Sequence, residues 1–398
     1  MIELVQQILA DATVQRVLWL IVSLVWSLLF LLGSVLILIW AERKTLGFVQ
    51  DRYGPHHTGK WGLLQSIADA VKMMTKEDVV PPQADKVIFW LAPIAFFAPV
   101  LAGFVVLPFS DIFVAADLNI GLIYPLALGS IGVVAIIAAG WSSNSKYSLM
   151  GAFRSAAQMI SYEIPMVLSL VAVLLITNSF SLQSIVRQQE GMWYVLVLPF
   201  AFLTFFISGL AETNRAPFDF PETESELVAG FMTEFSGMRW AMFYLGEYGN
   251  MIIISGLTAA LFLGGWQGPF APILGVVWFI IKVYVILFLF LWIRATLPRI
   301  RIDQLMDFGW KWMIPLTLLN IAVVAVLSLA FPTGYLIPIG VVNWLMSAAF
   351  IVGLTRYMRG QVEKARRLAA TWRLIGTIEK PAGEVVVAAG EGALARRS

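Results

Sequence analysis

The chain has 398 residues, of which 59% are hydrophobic and only 13% charged, with a formal net charge of +2 and a mean hydropathy of +0.82. A soluble domain carries about twice that charged fraction, so the chain reads as an integral membrane protein whose length does not count soluble domains. The absence of cysteine excludes disulfides, thiolate-held iron–sulfur clusters and Cys-ligated zinc within it. The only histidines, His56 and His57, are adjacent in a loop, which also excludes a haem held between histidines of facing helices, so electrons for any redox step come from elsewhere.

A membrane-spanning helix needs about 20 mainly apolar residues. Nine segments qualify: 17–39, 87–109, 122–140, 162–177, 193–210, 241–263, 272–293, 312–330 and 336–354. The expected fold is therefore all-α, a polytopic bundle of about nine transmembrane helices occupying residues 1–355. Glu3 and Asp11 precede the first apolar run and no small-residue cleavage site follows it, so it is expected to stay as a span and not to leave as a signal peptide. The first loop contains Leu64, Ile67, Ala68, Val71 and Met74 at helical spacing, with Gln65, Asp69, Lys72 and Lys76 opposite. This predicts an amphipathic interfacial helix over 61–76, ended by Pro81 and Pro82. Past the last span, 356–380 predicts a basic cytoplasmic helix, and the Gly- and Ala-rich 381–398 a disordered tail.

Lys and Arg set the orientation. Only Arg16 and Arg187 fall on one side, and Lys282 falls within the seventh span; every other Lys and Arg lies in loops or tail of the opposite side. A multi-pass protein of the cytoplasmic membrane is expected, with the N-terminus outside and the C-terminus inside.

The loop after the fifth span is the densest in acids, with Glu212, Asp219, Glu222, Glu224, Glu226 and Glu234, and Arg215 is the only base among them. Glu163 lies near one end of the fourth span and Glu247 about two turns into the sixth. Ionisable groups in spans cost about 2.5–3.5 kcal/mol each on insertion scales, so they usually face a cavity or a partner. A row of them on one side reads as a proton relay; read singly, each is a helix-end acid paired with Arg215, Arg239 or Lys282. Lys282, the one base deep in a span, is a counter-ion to Glu247 or a further relay member. The stretch from Gly54 to Lys60 mimics a phosphate-binding loop, but Trp61 stands where a hydroxyl must hold magnesium and no strand precedes it. It reads as a turn. The adjacent histidines read as polar loop residues, and no metal site is expected.

Several stretches in order resemble one family: Ala41-Glu-Arg-Lys-Thr-Leu-Gly47, Gln50-Asp-Arg-Tyr-Gly-Pro55, Gly62-Leu-Leu-Gln-Ser-Ile-Ala-Asp-Ala-Val-Lys72, Lys76-Glu-Asp, Gly140-Trp-Ser-Ser-Asn-Ser-Lys-Tyr-Ser-Leu-Met-Gly151, the acidic loop, and Arg294-Ala-Thr-Leu-Pro-Arg-Ile-Arg-Ile-Asp-Gln-Leu-Met306. The chain resembles the H subunit (subunit 1) of respiratory complex I, the proton-pumping NADH:quinone oxidoreductase, from about Trp40 to Asn320. The resemblance implies a subunit at the junction of membrane and peripheral arms, forming part of the quinone chamber and inactive alone. It implies that Glu163, Glu212, Glu222, Glu224, Glu226 and Glu247 line an acidic route from quinone chemistry to the pump, with Lys282 a further candidate from its position in a span. It places Arg43, Arg52, Asp69 and Lys72 at the quinone chamber and makes Arg215, Arg294 and Arg299 supporting or docking charges. Quinone is the implied substrate, and no iron–sulfur cluster, haem or flavin is expected on this chain; other membrane-arm and peripheral-arm subunits are the implied partners, and nucleic acid is not. His56 and His57 depart from the family's usual loop residues, and the ninth span and basic tail extend beyond many members. Two alternatives are a stand-alone ion transporter and the membrane anchor of an energy-converting hydrogenase.

Overall fold

The computed structural model describes residues 12–219, 228–331 and 336–378. Among these, all regular structure is helical. The long helices are α1 (Ala12–Val49), α2 (Gln65–Thr75), α3 (Lys86–Gly103), α4 (Ile123–Ser142), α5 (Lys146–Thr177), α6 (Pro199–Glu212), α7 (Gly237–Phe262), α8 (Ala271–Thr296), α9 (Ile314–Ala330) and α10 (Leu336–Ile378). Eight helical stretches are long and apolar enough to cross a membrane, and α6 is a shorter apolar helix.

The fifth expected span is thus not one continuous helix. A single turn, Tyr194–Val197, precedes α6, and Leu198 between them leaves helical geometry at φ −123°, ψ 55°. Pro199 explains the break, because its ring disfavours helical geometry in the residue before it and it has no N–H to donate. The 14 residues of α6 extend roughly 21 Å at helical rise, short of a hydrocarbon core of about 30 Å. Most of α6 is buried in the protein, where interrupted backbone at membrane depth is tolerated.

The fourth helix is longer than hydropathy indicates. α5 starts at Lys146, not near Tyr162, because its polar residues are satisfied inside the bundle. Ser148 Oγ donates to Phe231 O at 3.2 Å, and Gln158 Nε2 donates to Ala211 O and Phe218 O, both at 2.7 Å. The long helix and a π-helical stretch, Phe308–Met313, meet where Gly309 lies beside the Tyr162 ring and Tyr162 OH donates to Leu305 O at 2.9 Å.

Within 1–344, α3 packs on α4, α4 on α5, α5 on α6 and α9, and α7 on α3 and α8. Their contact surfaces are aromatic-rich: Phe89 stacks on Phe235 with ring centroids 4.1 Å apart, and Phe206 meets Phe290 edge-on. α7 is buried along nearly its whole length, whereas α1 exposes Leu20, Leu24 and Leu29 and α8 exposes Ile273, Val285 and Phe288, the pattern of helices whose outer faces meet lipid. α2 leaves Leu64, Ile67, Val71 and Met74 uncovered by the chain, so its apolar face is available to a bilayer.

The described residues from 345 onward form a second unit. The expected ninth span and basic helix are one continuous helix, α10, through Ile378, the last described residue. Pro338 is tolerated because it falls in the first turn, and Asn343 Nδ2 donates back to Ile339 O at 3.1 Å. The predicted tail 381–398 lies outside the described residues.

Candidate functional site: a buried charge cluster and its neighbours

The end of α1 sends two adjacent side chains in opposite directions. Glu42 turns inward and is 6% exposed, while Arg43 reaches the amphipathic helix α2. Glu42 Oε1 lies 2.6 Å from Arg294 Nη1 of α8, and Oε2 lies 3.5 Å from Arg215 Nη1. Tyr248 OH, on α7, donates to Glu42 Oε2 at 2.5 Å and shares a 3.0 Å hydrogen bond with Tyr244 OH. The Arg215 guanidinium stacks over the Tyr248 ring at 4.1 Å. Burial opposes the charge of Arg215, but Tyr248, Glu42 and Glu247 hold its pKa above the usual arginine range. Glu247, 5% exposed, therefore belongs to the same electrostatic group. One carboxylate between two guanidiniums would leave excess buried positive charge, and a second carboxylate offsets it.

Arg43 Nη1 contacts Asp69 Oδ2 at 2.5 Å, Lys72 Nζ lies 3.6 Å from Asp69 Oδ1, and Gln65 Nε2 donates to the same oxygen at 3.2 Å. Burial pushes the Asp69 carboxyl up, but the hydrogen bonds from Arg43 and Gln65 and the charges of Arg43 and Lys72 outweigh it and hold the pKa below the usual aspartate range. Lys44 Nζ donates to Pro55 O at 3.1 Å, and Trp40 Nε1 to Trp61 O at 3.1 Å, tying the first loop to α1. An open cleft of about 680 Å³ lies here, lined by Arg43, Tyr53, Gly54, Pro55, His56, His57 and Gln65.

A third group lies among α4, α5 and α6. Ser130 Oγ donates to Glu163 Oε1 at 2.5 Å. Glu212 lies near enough to Glu163 for their charges to interact, and its solvent-shielded Oε2 has no hydrogen-bond partner. Glu212 lines a small, partly open cavity with Gly129, Asn250 and apolar residues of α3 and α7.

The other expected site residues fall elsewhere. Lys282 is not a counter-ion to Glu247: its ammonium donates to Leu263 O, Gly265 O and Gln267 O at 2.6, 2.9 and 2.7 Å and sits 4.7 Å from the Trp193 ring centre. These carbonyls follow the end of α7, roughly 24 Å along the helix from Glu247. Arg52 is exposed and its Nε donates to Gln50 Oε1 at 2.6 Å, apart from the Arg43–Asp69 pair. Arg299 is exposed. Glu222, Glu224 and Glu226 lie outside the described residues. Among the described residues no three His, Asp or Glu come together as a metal set.

Sequence reasoning did not single out Glu42, Tyr244, Tyr248 or Ser130. Glu42 had one usable signal: an acid between the apolar stretch of α1 and the basic pair Arg43-Lys44, a place where an unpaired carboxylate is costly.

A family model described as NADH dehydrogenase matches residues 22–325. The chain belongs to the NADH dehydrogenase family. Its Glu42 cluster, its Arg43–Asp69 pair and the Glu163 and Glu212 carboxyls all fall within the matched family region, and α10 falls beyond it. Among relatives, the NADH-quinone oxidoreductase H subunit of Dehalococcoides mccartyi (strain 195) is 50% identical over 313 residues, covering 79% of this chain and 88% of the relative. The H subunit of Geobacillus sp. (strain WCH70) is 50% identical over 298 residues, covering 74% and 89%. The first of the H subunits of Geobacter sulfurreducens is 50% identical over 319 residues, covering 75% and 91%. Family membership and the apolar helices together make this chain a multi-pass membrane protein.

Proposed function

We propose that this chain is the H-type membrane subunit of an NADH-quinone oxidoreductase, with no turnover of its own, and that it couples quinone reduction to proton translocation. The names of its relatives support the subunit assignment. Electrons then come from partner subunits, and this chain supplies a docking surface, part of the quinone site and an ionisable path.

The observation that carries the coupling is the pair of opposed neighbours at the end of α1. Arg43 grips Asp69 on α2, while Glu42 is clamped by Arg294 and Arg215 inside the bundle. The quinone head fits the cleft beside Arg43, where a guanidinium and two imidazoles offer donors to its carbonyls and Tyr53 offers an aromatic face. Its isoprenoid tail follows the uncovered apolar face of α2. Reduction adds two electrons and two protons to the quinone. Negative charge that develops before protonation competes with Asp69 for Arg43. A shift of Arg43 is transmitted through one peptide to Glu42, whose balance with Arg215, Arg294 and Glu247 then changes. Coupling of this kind requires the two sites to bias one shared element, and the end of α1 is that element. From Glu247 the path continues to Glu212 and Glu163, and the acidic loop with Glu222, Glu224 and Glu226 joins the same route.

The test uses the intact complex purified through a tag on this chain. It is expected to bring NADH-oxidising iron–sulfur subunits, and a photoreactive quinone analogue is expected to label residues between Arg43 and Gln65. Recovery with a nickel–iron subunit, or alone with ion transport in liposomes, contradicts the subunit assignment. Labelling confined to other subunits contradicts the quinone site.

A further inference from the structure

The interruption before α6 is covered by a segment outside the matched family region. Leu198 leaves helical geometry and Pro199 brings no N–H, so the last carbonyls of the turn Tyr194–Val197 lose their helical donors. Counted from Glu212, the roughly 21 Å of α6 puts this break about two-thirds of the way across a hydrocarbon core. Backbone groups at that depth must find partners within the protein. Leu196 O finds one at the start of α10, where Trp344 Nε1 donates to it at 3.1 Å. Gly340, one turn earlier, permits the approach. A Cβ there would already lie 3.7 Å from Leu196 O and 3.9 Å from Val197 Cα, so a longer side chain would push the helix away. Ile339 and Asn343, at helical spacing on the same face, are buried, whereas Ile337 and Val341 on the outer face are exposed.

The break has polar surroundings on both sides. Leu196 also lines an open cleft of about 530 Å³ with Glu190, Trp193, Trp266 and Gln267, which has room for many waters at roughly 30 Å³ each. Past the break, Val197 and Leu198 are buried, and α6 leads away from them with Thr204, Ser208 and Glu212 about one turn apart. Ser208 Oγ and Glu212 Oε2 are shielded from solvent and have no hydrogen-bond partner, so each would accept a water that came in. The loosened backbone at Leu198 therefore stands between a cleft open to water and a buried row of polar side chains.

We propose that residues 336–344 of α10 seal this break, keeping water in the Glu190 cleft from entering along α6. Trp344 supplies the donor that the break lacks, and Gly340 sets the distance at which α10 lies on it. The seal is a barrier of the resting fold and moves no proton or electron itself. It goes beyond the proposed coupling function and stands whether or not quinone binds beside Arg43.

The chain has no cysteine, so Val197→Cys gives it a single thiol at the break. The assembled complex carrying it is placed in sealed vesicles, and a membrane-impermeant methanethiosulfonate is added to one face or the other. Modification is followed on this chain alone, together with the passive proton permeability of vesicles holding the resting complex. Slow modification from both faces is expected while α10 is intact. Trp344→Phe keeps a ring but loses the donor, and Gly340→Leu forces α10 away from the turn. Each is expected to speed modification from the face carrying Glu190 by roughly tenfold, the shift in local opening that one lost hydrogen bond to a water-shielded group produces, and to raise proton permeability. Ile337→Leu, on the outer face, is expected to change neither. Unchanged modification in both Trp344→Phe and Gly340→Leu overturns the seal, as does faster modification from the opposite face only. Faster modification with unchanged permeability overturns the barrier and reduces α10 to a cover. None of these readouts uses NADH or quinone, so the seal can fail while the subunit assignment stands.

Discussion

Glu42 and Arg294 meet at 2.6 Å across the interior of the bundle, one at the end of α1 and the other near the end of α8. The carboxylate also takes the Tyr248 hydroxyl and faces Arg215, so its removal strands two guanidiniums in a protein interior. Breaking a buried pair from one side costs about 3–5 kcal/mol. Glu42→Ala is expected to lower the unfolding temperature of the purified complex sharply, whereas Glu42→Gln, which still accepts from Tyr248, is expected to lose less. Equal unfolding temperatures for both variants and wild type would remove the cluster from the account.

The Arg43–Asp69 link is acid-sensitive. Asp69 has a folded pKa below its ordinary value, held there by Arg43, Gln65 and Lys72 against burial. A depressed carboxylate pKa means that the stabilisation is fully present above the ordinary aspartate pKa and is lost as pH falls through the folded value. Attachment of α2 to α1, followed by the distance between spin labels on the two helices, is expected to hold at neutral pH and loosen only in acid below the ordinary aspartate range. In Asp69→Asn the separation is expected to be wider and to show no such transition.

Lys282 closes the far end of α7. Its three donors go to the carbonyls of Leu263, Gly265 and Gln267, loop groups just past the helix that need a donor when kept from water. Lys282→Met is expected to cost about 1–3 kcal/mol for each carbonyl that stays dry, measured as a lower unfolding temperature. Protons pumped per quinone reduced by surviving complex are expected to stay at the wild-type value, and a lowered ratio would put Lys282 back among the proton carriers.

Arg239 fixes the segment that leaves α2 to the start of α7. It is 5% exposed, its Nη2 contacts Asp78 Oδ2 at 2.8 Å, and its guanidinium lies 3.7 Å from the Trp90 ring centre. Val79 N donates to Ser236 Oγ at 2.9 Å beside it. Arg239→Ala is expected to make residues 76–85 more sensitive to proteolysis and to raise the KM for quinone. Unchanged cleavage there would show that the neighbouring hydrogen bond suffices.

The spans were legible because lipid-facing helices such as α3 and α8 are apolar over nearly every position, and hydropathy reads that directly. The first turns of α5 were not, since Ser148, Ser155 and Gln158 are polar but buried and find their partners on distant segments. The interruption before α6 hinges on one proline in an otherwise apolar run, so composition alone counted a full span. Amphipathic α2 was legible from its spacing, with its start displaced from 61 to Gln65 because Trp61 adopts φ 64°.

The acids of the site were visible one by one, as costly residues near hydrocarbon. Their partners were not: nothing local in the sequence ties Glu42 to Arg215 and Arg294, or Ser130 to Glu163, since each pair joins different helices or loops. Lys282 misled for the same reason. A lone base in a span invites pairing with an acid, while the backbone carbonyls that satisfy it leave no mark on the residue types.

The most direct test of coupling through these carboxylates is simultaneous measurement of quinone reduction and proton translocation by the complete complex in liposomes carrying Glu212→Gln. Assembly with slowed turnover and fewer protons moved per quinone reduced is the expected result. An assembled variant that reduces quinone and moves protons at the wild-type rate and ratio would contradict it.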